Sequence, residues 1–237
     1  MSAVARSFPV GAVAFDLDGT LLDTIRDLHA TTTAWLTEAE LTPLSEDTVR
    51  GLVGKGVANL VRRALGLARD VEPDSLTIEE VDAALARYQS HYAELLGRET
   101  VLFPEVREGL DRLKAMGLPL AVVTNKASRF VRPHLDQAGI GHYFDLVIGA
   151  DDLPTRKPDP GPLLFIARSF RVAPAELLMV GDSANDCAAA RAAGCPVLVL
   201  PYGYSEGTPV DKLDCDGIVA SIAAVADVVR PAHHDVM

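Results

Sequence analysis

The chain has 237 residues, of which 49% are hydrophobic and 23% charged, and it carries a formal net charge of −11. That balance excludes a disordered chain, and the acidic excess argues against nucleic acid and anionic membrane as partners, because both need a basic surface. A small anionic metabolite stays open, since one local cation reverses the field inside a cleft.

In chain order, Gly11 to Phe15 reads as a short strand buried on both faces, and it runs directly into Asp16 and Asp18. Two carboxylates this close repel and lose hydration beside an apolar sheet, so they imply a cation or an anion-handling reaction. After Asp18 the period becomes helical. Ile25, Leu28, Thr32, Trp35 and Ala39 mark one amphipathic helix. Val57, Leu60, Val61, Ala64 and Leu65 mark a second, after the glycines of GLVGKG, and Ile78, Val81, Leu85, Tyr88, Tyr92 and Leu95 a third. Residues 23–98 are therefore expected to form an all-helical module without strands.

From residue 99 the texture alternates. Apolar runs within Leu118–Lys126, Asp145–Asp152, Leu177–Asp186 and Pro196–Pro201 predict strands. Helical patterns fall between and after them, over 105–116, 127–138, 160–170, 185–193 and 217–229. Such alternation predicts an α/β fold, a parallel sheet with helices on both faces. Residues 1–22 and 99–237 would make this core, with 23–98 inserted after its first strand, where a loop tolerates insertion.

Ligands of open parallel sheets bind beyond the carboxyl ends of the strands. Asp16 and Asp18, Thr124 and Asn125, and Asp182 and Asp186 all fall there, under the inserted module. Asp16, Asp18 and Asp182 suit a hard divalent cation such as Mg2+, which takes a few carboxylates and completes its shell with water and phosphate. Lys157, in TRKPDPGP, offers a compact charge for a phosphate, and Thr124 and Asn125 offer donors to phosphoryl oxygens.

DLDGT, the Thr124 step in VVTNK, Lys157 and GDSAND, in this order, resemble the four motifs of the haloacid dehalogenase superfamily. The resemblance covers nearly the whole chain, including the helical cap between the first and second motifs, and implies a Rossmann-like core. It implies that Asp16 takes the phosphoryl group as an aspartyl phosphate, and that Asp18 protonates the leaving oxygen and then activates water. It places Mg2+ on Asp16, the Asp18 backbone carbonyl and Asp182. Asp186 would support the metal through water or orient Lys157, and Lys157 would steady the nucleophile and the phosphoryl charge. Thr20, Thr124 and Asn125 would hold the phosphoryl group. Dehalogenation is disfavoured, because the dehalogenases lack the second aspartate, present here as Asp18. Phosphoryl-receiving signalling domains share the chemistry but are about half this length and lack a cap.

Two stretches are similar to phosphoglycolate phosphatases: VGKGVANLVRRALG (Val53–Gly66) and PYGYSEG (Pro201–Gly207). The resemblance implies hydrolysis of 2-phosphoglycolate. Pyrophosphate, a nucleotide, a sugar phosphate, or a hexose-phosphate mutase reaction are the alternatives. In the first stretch, Gly54 with Lys55 or Arg63 would meet a substrate carboxylate; a glycine-capped turn between helices is the other reading. Lys55 is followed by Gly56 rather than Ser or Thr, which excludes a P-loop.

Cys187, Cys195 and Cys215 are too few and too scattered for a disulfide framework or a zinc site, and read as reduced side chains. No apolar run reaches the ~20 residues of a membrane helix, and MSAVARSFPVG lacks the apolar core of a signal peptide. A cytoplasmic protein is expected, as a monomer or a homodimer. His29, His91 and His134 read as surface or satisfied residues, and His233 and His234 as a frayed tail.

Overall fold

The structure is a computed structural model that describes residues 7–232, so His233 and His234 lie outside the described residues. Its centre is a parallel sheet built from β2 (Ala12–Phe15), β5 (Leu120–Val123), β6 (Leu146–Ile148), β7 (Leu177–Gly181), β8 (Val197–Val199) and β9 (Gly217–Ile218). The spatial order is β6-β5-β2-β7-β8-β9. The chain leaves β2, builds one side of the sheet, and returns to build the other, so the switch in direction falls at β2.

Side chains alternate across this sheet, which explains how short apolar runs serve two cores at once. Val13, Phe15, Leu120, Val122, Leu178 and Val180 enter one core. It also takes Leu110 from α5 (Val106–Ala115), Leu135 from α6 (Ser128–Gln137) and Val225 from α9 (Ile222–Val228). Ala12, Ala14, Ala121, Val123 and Met179 face the opposite core, closed by Leu163 of α7 (Gly161–Phe170) and Ala189 of α8 (Ala184–Ala193). The small alanines of the central strands let these helices lie close to the sheet.

A third core belongs to the inserted segment: α1 (Ile25–Glu38), α2 (Glu46–Arg50), α3 (Val57–Arg69) and α4 (Ile78–Leu95). Trp35 and Tyr88 are wholly buried at its centre and meet edge to face, with ring centroids 5.9 Å apart. Thr77 and Glu80 make a reciprocal capping box that fixes where α4 begins. Phe130 and Tyr204, from the sheet side, join this core and tie the two bodies together.

Several features depart from the sequence reading. The segments entering and leaving the cap form an antiparallel pair, β3 (Leu22–Asp23) with β4 (Val101–Leu102). The run 217–229 is not one helix: Gly217–Ile218 becomes the edge strand, and α9 starts only after Ser221, which caps it by accepting Ala224 N–H. β1 (Phe8–Val10) pairs with β10 (Val229–Pro231) away from the main sheet. Each of these pairings joins residues far apart in the chain, which local periodicity cannot register. Ile78 lies 68% exposed, because the first turn of α4 projects beyond the cap core.

Candidate active site

The carboxyl ends of β2, β5 and β7 deliver Asp16, Thr124 and Asp182 to one point beneath the cap, as the strand-end rule predicts. Asp16, Asp182 and Asp186 bring ligand oxygens within 4.8 Å of one another. Gly19 makes the turn possible: it sits at φ +87°, and a Cβ there would collide with the Asp182 carboxylate.

Lys157 is buried between two of these acids, 3.0 Å from Asp16 Oδ1 and 2.6 Å from Asp186 Oδ1. Burial opposes its charge, but the Asp16 and Asp186 carboxylates outweigh that and hold its pKa above the ordinary range. Asp186 is fully committed. Its Oδ2 accepts Asp182 N–H, Ser183 N–H and the Ser183 hydroxyl, at 3.1, 3.0 and 2.8 Å.

Asp182 accepts the Thr20 hydroxyl at 2.8 Å and Tyr204 N–H at 2.8 Å. Burial, with the charges of Asp186 and Asp16, still pushes its pKa up to about 8. Asp16 is pushed up to about 6 by burial, which Lys157 partly offsets. The Asp16 carboxylate accepts Leu17 N–H at 2.7 Å and lies 3.0 Å from Lys157, both through Oδ1. Buried carboxylates held this far from their ordinary range are short of positive charge, and two such groups with water and phosphate oxygens match the ligand needs of a small divalent cation.

The cleft opens from Asp16 toward the cap. Asp18, Thr124, Asn125 and Lys126 line it on the sheet side, and Leu28, Val53, Leu60, Tyr88 and Tyr92 on the cap side. The Thr124 hydroxyl accepts Lys126 N–H at 3.2 Å and retains its own proton for donation. The arrangement combines an activated carboxylate, a buried cation beside it and a second carboxylate two residues on, in a cleft walled by apolar side chains. Such a cleft can admit an anionic group beside Asp16.

Residues 13–200 match the haloacid dehalogenase-like hydrolase family. The chain belongs to that family. This hydrolase is 47% identical over 229 residues to a phosphoglycolate phosphatase of Thiobacillus denitrificans, covering 96% of this chain and 100% of the relative. It is 41% identical over 226 residues to the phosphoglycolate phosphatase of Escherichia coli K12, covering 90% of each chain. The crystal structure of a predicted phosphoglycolate phosphatase from Haemophilus somnus superposes with a TM-score of 0.87 at 36% identity, covering 92% of this chain and 97% of that one.

Not every residue expected at the site of this hydrolase arrives there. Thr20 is wholly buried beneath Asp182 and does not line the cleft. Arg63 donates to the Gly51 carbonyl at 3.2 Å, and neither it nor the exposed Lys55 is among the lining residues. Gly54 does line it. The Asp18 carboxylate stands outside the acidic cluster, paired with Lys126 at 3.0 and 3.1 Å.

Asn125 has a second task. Its side-chain amide donates to the Gly54 and Lys157 carbonyls, at 3.2 and 2.9 Å, and so joins cap to core, while the residue also lines the cleft. Asn185 donates to the same Gly54 carbonyl at 3.3 Å. Lys126 is a site residue the sequence reading passed over. Its position directly after Thr124 and Asn125 was the available signal.

Proposed function

We propose that this hydrolase is a phosphate-monoester phosphatase that converts 2-phosphoglycolate to glycolate and phosphate through an aspartyl phosphate on Asp16. The observation that carries the reading is the placement of Lys157, 3.0 Å from Asp16 and within a lattice of buried acids, beside a cleft that Asp18 also lines. A carboxylate attacks an anion only when local cations screen the approach. The relatives named as phosphoglycolate phosphatases support the substrate.

In this reading Asp16 Oδ2 attacks phosphorus and the P–O bond to the leaving group breaks. Asp18, entering the cycle protonated, gives that oxygen its proton, then recovers one from the water that hydrolyses the acyl phosphate. Lys157 neutralises charge on Asp16 and on the transferred group, and Asp186 acts by fixing Lys157. The Thr124 hydroxyl donates to a phosphoryl oxygen. Asp16, the Asp18 backbone carbonyl and Asp182 would hold Mg2+, with Asp186 behind them, and the ion would supply Lewis-acid stabilisation of the phosphoryl oxygens. Two steps replace one very slow displacement. The enzyme would act in the cytoplasm with its three cysteines unpaired, as a monomer or homodimer.

The test is phosphate release from a panel of esters led by 2-phosphoglycolate, with Mg2+ and with a chelator. Release that needs the metal, is fastest on 2-phosphoglycolate and is lost in Asp16→Asn supports the reading. Faster turnover of a sugar phosphate or nucleotide would replace the substrate.

A further inference from the structure

2-Phosphoglycolate carries a carboxylate two carbons from its phosphate, and an anion cannot enter this cleft without a partner. The two cations first considered for it, Lys55 and Arg63, do not line the cleft. Among the described residues that line it, Lys126 is the one cation. It is 8% exposed and reaches in from the sheet side.

A second, independent observation falls on the same wall. Tyr88 is wholly buried and lines the cleft, yet its hydroxyl has no protein hydrogen-bond partner. Thr32 lies near it but makes no hydrogen bond to it, and the Thr32 hydroxyl donates its own proton to the Leu28 carbonyl at 2.7 Å. A buried hydroxyl without a partner is costly and rare. Tyr88 stacks on Tyr92, with centroids 6.2 Å apart, and the Tyr92 hydroxyl contacts Lys126 Nζ. The ammonium and the unpartnered hydroxyl thus lie on one patch. The N-terminus of α3 borders the same cleft through Gly56 and Val57, and no side chain caps it.

We propose that Lys126 and Tyr88 form the subsite for the carboxylate of the substrate. The inference rests on the 2-phosphoglycolate reading above. Lys126 has three N–H donors, now directed at both Asp18 oxygens and at Tyr92. Retreat of Asp18 to a single contact releases one donor for the incoming carboxylate, and the Tyr88 hydroxyl supplies another. The apolar remainder of the wall, Val53, Val57 and Leu60, then encloses a short two-carbon body and offers nothing to a polyhydroxylated one.

The experiment compares kcat/KM for 2-phosphoglycolate with that for ethyl phosphate, which carries a methyl group in place of the carboxylate. Both substrates need Asp18, so the ratio removes the part of any Lys126 effect on Asp18 that they share. Wild type should favour 2-phosphoglycolate strongly. Lys126→Met should lower the ratio at least tenfold, Lys126→Arg should retain most of it, and Tyr88→Phe should lower it several-fold, chiefly through KM. A wild-type preference that survives in Lys126→Met overturns the subsite while leaving the substrate standing. A wild type without the preference overturns the substrate reading and the subsite together. Should Lys126→Met fail to fold, Tyr88→Phe decides: an unchanged ratio there overturns the proposal.

Discussion

Lys157 and Asp186 meet at 2.6 Å with both side chains buried, and Lys157 reaches Asp16 from the same position. Removing the cation while leaving the acids strands several buried carboxylates. Breaking one side of such a network costs about 3–5 kcal/mol. Lys157→Met is therefore expected to lower stability by that order in urea unfolding. The loss of one aligned cation should also reduce kcat by ~10²–10³-fold. Asp186→Asn should lose less stability, because the amide oxygen can still accept the Ser183 and Asp182 donors.

The raised carboxylate pKa values predict how metal and pH act together. Asp182 would titrate near 3.8 in an unfolded chain but is held up to about 8 in the fold, and Asp16 up to about 6. Between those limits the folded state binds more protons than the unfolded state, so stability falls as pH rises through them. Thermal unfolding of metal-free protein should show a Tm that drops between pH 5 and pH 8. Added Mg2+ should raise Tm, and more at pH 8 than at pH 5, because it binds the ionised acids. An equal Mg2+ effect at both pH values would contradict this.

Asp27 fastens the start of the cap to the segment by which the chain returns. Its buried carboxylate accepts Gly97 N–H at 2.6 Å, Glu99 N–H at 2.8 Å and the Thr100 hydroxyl at 2.6 Å. Asp27→Ala leaves those donors without their acceptor, and each such loss costs about 1–3 kcal/mol. A loss of about 3 kcal/mol or more is expected in denaturant midpoints, with Asp27→Asn intermediate.

His134 governs the acid side. It is wholly buried and meets the Thr100 hydroxyl at 2.9 Å through Nε2. Thr100 already donates to Asp27, so Nε2 carries the proton and Nδ1 is bare and unpartnered. Burial, reinforced by the Lys126 charge, lowers its pKa from 6.5 to about 3. The unfolded chain takes up that proton first, so stability is lost as pH falls through this range. His134→Gln should flatten the decline in Tm below pH 6, and an unchanged decline would assign it to other groups.

The catalytic side of the site was legible because its residues sit at ends of strands whose apolar runs announce themselves. Asp16 after AVAF, Thr124 after LAVV and Asp182 after LLMVG need only the strand-end rule to be brought together. The cap side was less legible. Tyr88 and Tyr92 fall on the apolar stripe of α4 and read as core, which they also are; nothing local says that these two residues also line a cleft. Lys126 escapes a local reading because its partners, Asp18 and Tyr92, are 108 and 34 residues away. Thr20 and Arg63 show the complementary case: each has a polar group suited to a ligand, and the fold directs it to Asp182 or to Gly51.

Transfer of the phosphoryl group to Asp16 itself is best tested with Asp18→Asn and a substrate whose leaving group needs no proton, 4-nitrophenyl phosphate. Without Asp18 to activate water, the acyl phosphate should outlive its formation. The account predicts a burst of 4-nitrophenolate equal to the enzyme present, with a phosphoryl adduct on the Asp16 peptide after acid quench, and neither in Asp16→Asn. Turnover of 4-nitrophenyl phosphate with no burst and no adduct would contradict a covalent role for Asp16.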